Sequence, residues 1–226
     1  MHPPPLRIAM LSLHAGPGGT LGTRWSGGMS VVLAETAREL ARRGHRVDIF
    51  THRRDPRAPE ESTLGSGVRL VQLAAGPSRP TPPLELYARR GTLTRALEEY
   101  RRRIGLRYDL IHSHYWLSGV VGRTLQLRWQ VPHLITFHTL AAVKDATGAA
   151  PPEPALRRDR ETALTQTASR LLAPTRAEAQ ALVTLYGAHP DRIGLVPGGV
   201  DLGRFRPVSR DLARRRLGLE TGPPVL

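Results

Sequence analysis

Short apolar runs alternate with amphipathic stretches along this chain in a regular order. Leu6–Leu13 is a nearly continuous apolar run, as a strand buried on both faces requires, and His45–Thr51, with Val47, Ile49 and Phe50, reads as a second strand. Between them, Met29–Arg43 places Val32, Leu33, Thr36, Ala37 and Leu40 at helical spacing, and Gly44 stands where a helix would stop. The same signals predict strands at Val68–Leu73, Asp109–His112, His133–Phe137, Leu171–Ala173 and Arg192–Val196. They predict helices at Leu84–Arg103, Leu117–Gln130, Leu156–Ser169 and Ser209–Leu217, and one capped by Thr175 that runs to Tyr186. His52–Gly67 reads as a charged turn region and Gly76–Pro83 as a proline-rich loop. Strand, helix and strand joined by short connections give an α/β fold, a doubly wound parallel sheet with helices on both faces.

Composition narrows the picture. At 226 residues the chain is one large α/β domain or a domain with a fragment of another. Its apolar runs are far shorter than a membrane span, and Met1-His-Pro-Pro-Pro lacks the apolar stretch of a signal peptide, so a cytoplasmic location is expected. The absence of cysteine excludes disulfides, thiol nucleophiles and thiolate metal sites. A net charge of +14 would attract phosphates, nucleic acid or an anionic membrane. However, Lys144 is the single lysine among 33 basic residues, a skew typical of GC-rich coding. Aromatic residues make up 5% and are not interleaved with the basic clusters, so the stacking platforms of a nucleic-acid binder are missing.

The candidate chemistry lies where strands are predicted to end. His112-Ser-His-Tyr-Trp-Leu-Ser-Gly119 follows the apolar Tyr108-Asp-Leu-Ile pattern, which places two histidines, Tyr115 and Trp116 at a strand-to-helix turn. In open α/β sheets ligands bind in the crevice at the carboxyl ends of the strands. Gly27-Gly28 opens the first helix after strand one, where free N–H groups and the helix dipole favour an anion such as a diphosphate; the alternative is a plain flexible loop. The loop is too long for a dinucleotide fingerprint, and the second strand ends in Phe50-Thr-His52 without an acid for a ribose, which excludes a dehydrogenase. His112 and His114 share one strand face but lack a third ligand nearby in sequence, so hydrogen bonding or ligand contact is expected rather than a metal. His138-Thr139 ends the fifth strand, offering a donor for a sugar hydroxyl and a hydroxyl for phosphate; the alternative is a capping pair. Arg157 and Lys144 could add phosphate recognition, although Arg157 sits beside Arg158 and Arg160 and one of the three need face the site.

Together these segments resemble the N-terminal domain of a family-4 retaining glycosyltransferase of the GT-B fold. Within that family they are similar to the group of sucrose-phosphate synthase and the mycothiol-pathway inositol-phosphate N-acetylglucosaminyltransferase. The resemblance runs from Arg7 to Pro207 through Ser26-Gly-Gly-Met-Ser30, Ala41-Arg-Arg-Gly-His45, His112–Gly119, Thr136–Lys144 and Pro197–Pro207. It implies two Rossmann-like domains that close on a nucleotide-diphosphate sugar, most often UDP-linked, with no cofactor and no metal. Residues 1–207 would then be the acceptor-side domain, and 208–226 a linker and the start of a donor-binding domain that lies beyond Leu226. It further implies that Gly27 and Gly28 face the donor diphosphate and His138 the transferred sugar, and that Ser30, Tyr115, Thr139, Lys144 and Arg157 hold the acceptor.

The sequence departs from the group at three places, the most serious being that the second domain implied by the resemblance is missing after Leu226, so that this chain alone is expected not to turn over a nucleotide sugar. Ser30 stands where the group usually has asparagine, and the loop after Ala75-Gly-Pro77 lacks a lysine, with Arg79 as the available substitute. Two other readings remain open. One is a stand-alone module that binds a phosphorylated sugar or polyol, and the other a peripheral membrane fragment that uses a lipid acceptor.

Overall fold

The computed structural model describes residues 4–17, 27–148 and 151–220. Its centre is an eight-stranded sheet in the order β3-β4-β2-β1-β5-β6-β7-β8. The strands are β1 (Arg7–Leu11), β2 (Arg46–His52), β3 (Glu61–Gly65), β4 (Val68–Leu73), β5 (Leu110–His114), β6 (His133–Thr136), β7 (Arg170–Ala173) and β8 (Ile193–Leu195). All neighbours pair in parallel except β3, which runs antiparallel to β4. The doubly wound α/β fold read from the sequence is the one observed.

Two cores lie on opposite faces of the sheet, because successive strand residues alternate sides. On one face Ile8, Met10, Val47, Ile49, Val68 and Leu70 pack with Leu33 and Ala37 of α1 (Gly28–Arg42). On the other, Ala9, Leu11, Phe50, Val71, Ile111 and Ile135 pack under α2 (Pro83–Ala88), α3 (Arg90–Arg103), α4 (Trp116–Trp129), and further helices below. These are α6 (Ala155–Thr167) and α7 (Arg176–Tyr186), which follow a short α5 (Ala141–Thr147). Helix α4 sits unusually close to the sheet. A Cβ at Gly119 would overlap Ile135 and Leu164, and one at Gly122 would overlap Ser113 and His133. Both glycines of the His112–Gly122 region are therefore packing residues.

Several elements differ from the sequence reading. β3 falls inside the segment read as turns: Glu61-Ser-Thr-Leu-Gly is mostly polar because it is an edge strand, and Leu64 alone joins a core. The long helix expected at Leu84–Arg103 is two helices that meet at Arg89. α5 was not expected at all. β5 runs two residues past its predicted end at His112, so Ser113 and His114 are also strand residues. The predicted caps hold elsewhere: Gly44 has φ +94° just past α1, and the Thr175 hydroxyl accepts from the Glu178 N–H at the start of α7. Ser209 likewise caps α8 (Arg210–Arg216). The final apolar stretch Gly222–Leu226 and residues 18–26 of the glycine-rich loop, Ser26 included, lie outside the described residues.

Strand order fixes where a site can form. From β1 the chain moves outward to β2 and β4, then returns to β5 on the other side and continues to β8. Helices leaving β1 and β5 diverge, which opens a crevice at the carboxyl ends of these two strands.

Candidate active site at the carboxyl end of the sheet

The crevice is lined on the β1 side by His14 and Ala15, with Gly27, Gly28, Met29 and Ser30 at the start of α1 and Pro82 and Pro83 at the start of α2. It encloses about 390 Å³. Gly27 is the N-cap of α1 with φ −129°, and neither it nor Gly28 needs a left-handed backbone. A Cβ on either would meet nothing within 4 Å among the described residues. Packing therefore does not demand glycine here, whereas a ligand resting against the helix N-terminus would. Ser30 is buried beside them, and its hydroxyl has no partner among the described residues.

Just past β5 and β6 stand two strained residues. Tyr115 has φ +75° and ψ +155°, and His138 has φ +62°. Non-glycine residues in such regions cost about 1–3 kcal/mol each and persist where surrounding structure holds them, often at functional sites. The Tyr115 ring packs against His14 at 4.3 Å between ring centres, and the Arg157 guanidinium lies 4.8 Å above it. This contact joins the β1 and β5 sides of the crevice.

Arg157 is the one of its three arginines that turns inward. It is buried, while Arg158 and Arg160 are exposed. Its Nε donates to Glu161 at 2.7 Å, and one terminal nitrogen donates to the Thr139 carbonyl and hydroxyl at 2.9 and 3.0 Å. The other lies 2.9 Å from Glu153, which also pairs with exposed Lys144. Glu161 in turn accepts from the Ala141 N–H and the Tyr186 hydroxyl, so a buried carboxylate ties α5, α6 and α7 together behind the site. Arg79, the expected substitute for the missing lysine, is instead held by both oxygens of Glu85.

Histidines fill the strand ends. His114 Nδ1 lies 2.8 Å from His138 Nε2, and His112 Nε2 lies 3.0 Å from the Thr136 hydroxyl. The His112 and His114 rings are 4.2 Å apart, since residues i and i+2 of a strand share a face. Burial disfavours the charged form, holding His138 and His112 down to about 4 and His14 down to about 3; Arg54 adds a smaller push on His14. These imidazoles are neutral hydrogen-bonding groups at physiological pH. Among the described residues, three or more histidines or carboxylates nowhere gather as a metal cluster.

The structure thus gathers Gly27, Gly28 and Ser30 around one pocket with His14, and Tyr115, Thr139 and Arg157 into a contact network that reaches His14 through Tyr115, with His138 following the adjacent strand and Lys144 at the outer edge of the network. Sequence reasoning missed His14, Glu153, Glu161 and Arg54, whose guanidinium donates to the His14 carbonyl. His14 carried a usable signal, because it follows β1 as His138 follows β6. Glu153 and Glu161 carried none beyond their i−4 and i+4 spacing from Arg157.

The family model described as Glycosyltransferase Family 4 matches residues 26–204, a span that runs from the start of α1 past Arg157 and begins after His14. The chain belongs to glycosyltransferase family 4. Two relatives are D-inositol 3-phosphate glycosyltransferases, from Nocardia farcinica (44% identical, covering 98% of this chain and 50% of the relative) and Acidothermus cellulolyticus (45%, covering 95% and 49%). A solved sucrose-phosphate synthase from Thermosynechococcus elongatus superposes with a TM-score of 0.86 at 30% identity, over 95% of this chain and 53% of that one. The chain spans about half the length of the curated relatives it matches. Its fold is the Rossmann-like α/β class of GT-B glycosyltransferases. In this family-4 chain no described helix is long and apolar enough to cross a membrane.

Proposed function

We propose that this chain forms the acceptor-side half of a retaining hexosyltransferase that uses a nucleotide-diphosphate sugar, UDP-linked by preference, and a hydroxyl acceptor. The observation that carries the reading is the link at His14, which lines the pocket over the open glycine N-terminus of α1 and packs against the strained Tyr115, itself covered by the Arg157 guanidinium. On the glycine side, the N–H groups of α1 behind Gly27 and Gly28 receive the leaving diphosphate, where the helix dipole favours negative charge. On the other, His138 contacts the transferred sugar, while Tyr115 and Thr139 hold the acceptor, Arg157 braces both from behind, and Lys144 and Ser30 lie at its margins. The names of the curated relatives make a phosphorylated inositol the first acceptor to test.

Retention without a nucleophile of this chain fits the carboxylates present. Glu153 and Glu161, the acids behind the site, are both committed to Arg157. Rate enhancement then comes from holding donor and acceptor together and from dipoles aimed at the departing charge. In this reading residues 1–207 serve as the acceptor-side domain, and turnover requires a donor-binding half beside it.

The test supplies the C-terminal half of the Nocardia farcinica relative in trans or fused, and follows nucleotide release with inositol 3-phosphate and UDP-linked hexoses. The expected result is acceptor-dependent release that His138→Ala abolishes. Full activity in His138→Ala would remove the site assignment. Acceptor binding by the chain with no release under any complementation would make it a binding module.

A further inference from the structure

His114 is the least explained residue of the crevice. It is 1% exposed, belongs to the last position of β5, and pairs in register with Thr136 at the end of β6. Its Nδ1 meets His138 Nε2 at 2.8 Å, and the two rings stack with centres 5.1 Å apart. Its Nε2 is sealed from solvent and has no partner among the described residues. His138 is only half-buried, and its Nδ1 is neither bonded to a described residue nor sealed away.

One proton lies between two neutral rings, and the environment decides which ring owns it. If His138 donated through Nε2, the His114 proton would have to sit on the sealed Nε2, stranding a buried N–H. Orphaned buried N–H groups are rare and cost a full desolvation penalty, whereas under-satisfied acceptors are tolerated more often. The arrangement with the smaller penalty has His114 protonated at Nδ1 and donating. His138 then carries its own proton on Nδ1, the nitrogen that stays open. The other ionisable groups around the pair, His112, His14 and Arg157, are neutral imidazoles or a guanidinium already held by Glu153, Glu161 and Thr139.

We infer that His114 is a positioning residue: its Nδ1–H donates to His138 Nε2, locks His138 as the Nδ1–H tautomer, and so makes Nδ1–H the donor that His138 presents to a ligand. The role of the ligand rests on the transferase reading, but the tautomer does not. The nitrogen available on a histidine is set by the hydrogen bond its other nitrogen makes, and here the partner is a second histidine rather than the usual carboxylate or carbonyl. A neutral partner suits the task. A carboxylate at this position would place a negative charge behind the ring and raise its proton affinity.

The experiment is long-range ¹⁵N–¹H correlation spectroscopy of the imidazoles in the ¹⁵N-labelled chain at neutral pH. The expected pattern is pyrrole-type Nδ1 and pyridine-type Nε2 for both His114 and His138. In His114→Leu the His138 pattern should collapse toward the mixture of an unrestrained imidazole. His114→Asn, whose amide stands where Nδ1 stood, should restore it. A pyrrole-type Nε2 on His138 in the parent chain overturns the inference, as does an unchanged His138 pattern in a folded His114→Leu; if that variant does not fold, the parent spectrum decides. In the completed enzyme, His114→Leu should lower kcat by on the order of tenfold or more with little change in KM, and His114→Asn should recover most of it. Absence of transfer by the completed parent enzyme would count against the reaction and leave the tautomer intact. Transfer with the opposite tautomer would count against this inference alone.

Discussion

At the scale of single residues, the crevice is defined by places where the side chain and the backbone disagree with local preference. Tyr115 and His138 occupy left-handed φ values that only surrounding contacts can hold, and both stand at the ends of neighbouring parallel strands. Gly27 and Gly28 present the converse: glycines with room for a side chain and no backbone need to lack one. This contrast is testable. Gly28→Ala should raise the stability of the chain by about 0.4–1 kcal/mol, because its native backbone suits alanine and the unfolded chain loses freedom. In the completed enzyme the same change should weaken the nucleotide sugar by about tenfold, close to 1.4 kcal/mol. Denaturant titration and calorimetry read the two effects, and a stabilised variant with unchanged donor affinity would take Gly28 out of the site. Gly28, His138 and Thr139 were legible in the sequence because position after a strand is itself a sequence property. Glu161 was not: its partners Ala141 and Tyr186 lie 20 and 25 residues away, and only the packing of three helices brings them to one carboxylate.

At the scale of elements, α4 shows how the site is kept rigid. It follows Tyr115 directly and lies flat on the sheet through Gly119 and Gly122, so the strained turn is clamped between a strand and a helix that cannot shift apart or closer. His133 Nε2 and the Ser113 hydroxyl, 2.8 Å apart, occupy the space that a Gly122 side chain would need. Gly122→Ala should therefore destabilise the chain by about 1–3 kcal/mol through overpacking, despite the better helix propensity of alanine. Thermal unfolding would show it, and a variant as stable as the parent would mean that α4 rides freely on the sheet. The helical pattern predicted α4 to within a residue at each end, but the packing role of its glycines depends on the sheet and on α6, which no local pattern reveals. β3 and the break at Arg89 escaped for a related reason: an edge strand needs little apolar surface, and a bend between helices is set by which core each half must reach.

At the scale of the whole molecule, buried imidazoles couple the site to acid stability. Burial holds His14 and His133 down to about 3, and His112 and His138 down to about 4, while an unfolded histidine titrates near 6.5. The native chain keeps these groups neutral as pH falls, whereas the unfolded chain takes up protons. Their contribution to stability is therefore complete above pH ~6.5 and is lost on acidification, by up to about 1.4 kcal/mol per pH unit for each histidine. The urea midpoint should drop clearly between pH 7 and pH 5, before most carboxylates titrate. An unchanged midpoint over that interval would show that these four histidines are solvated.

By itself, the sequence determined the α/β class, the parallel strands, most helix boundaries and the strand ends at which chemistry collects. These depend on periodicity and on turn residues, which act over a few positions. Tertiary structure alone decided which strand ends adjoin, since the order of strands in the sheet is a long-range property. It placed His14, after β1, against Tyr115, after β5, turned Arg157 inward and Arg158 outward, and set His114 against His138 across 24 residues of chain. Burial and hydrogen-bond partnership, which determine how a histidine behaves, exist only once those neighbours have met.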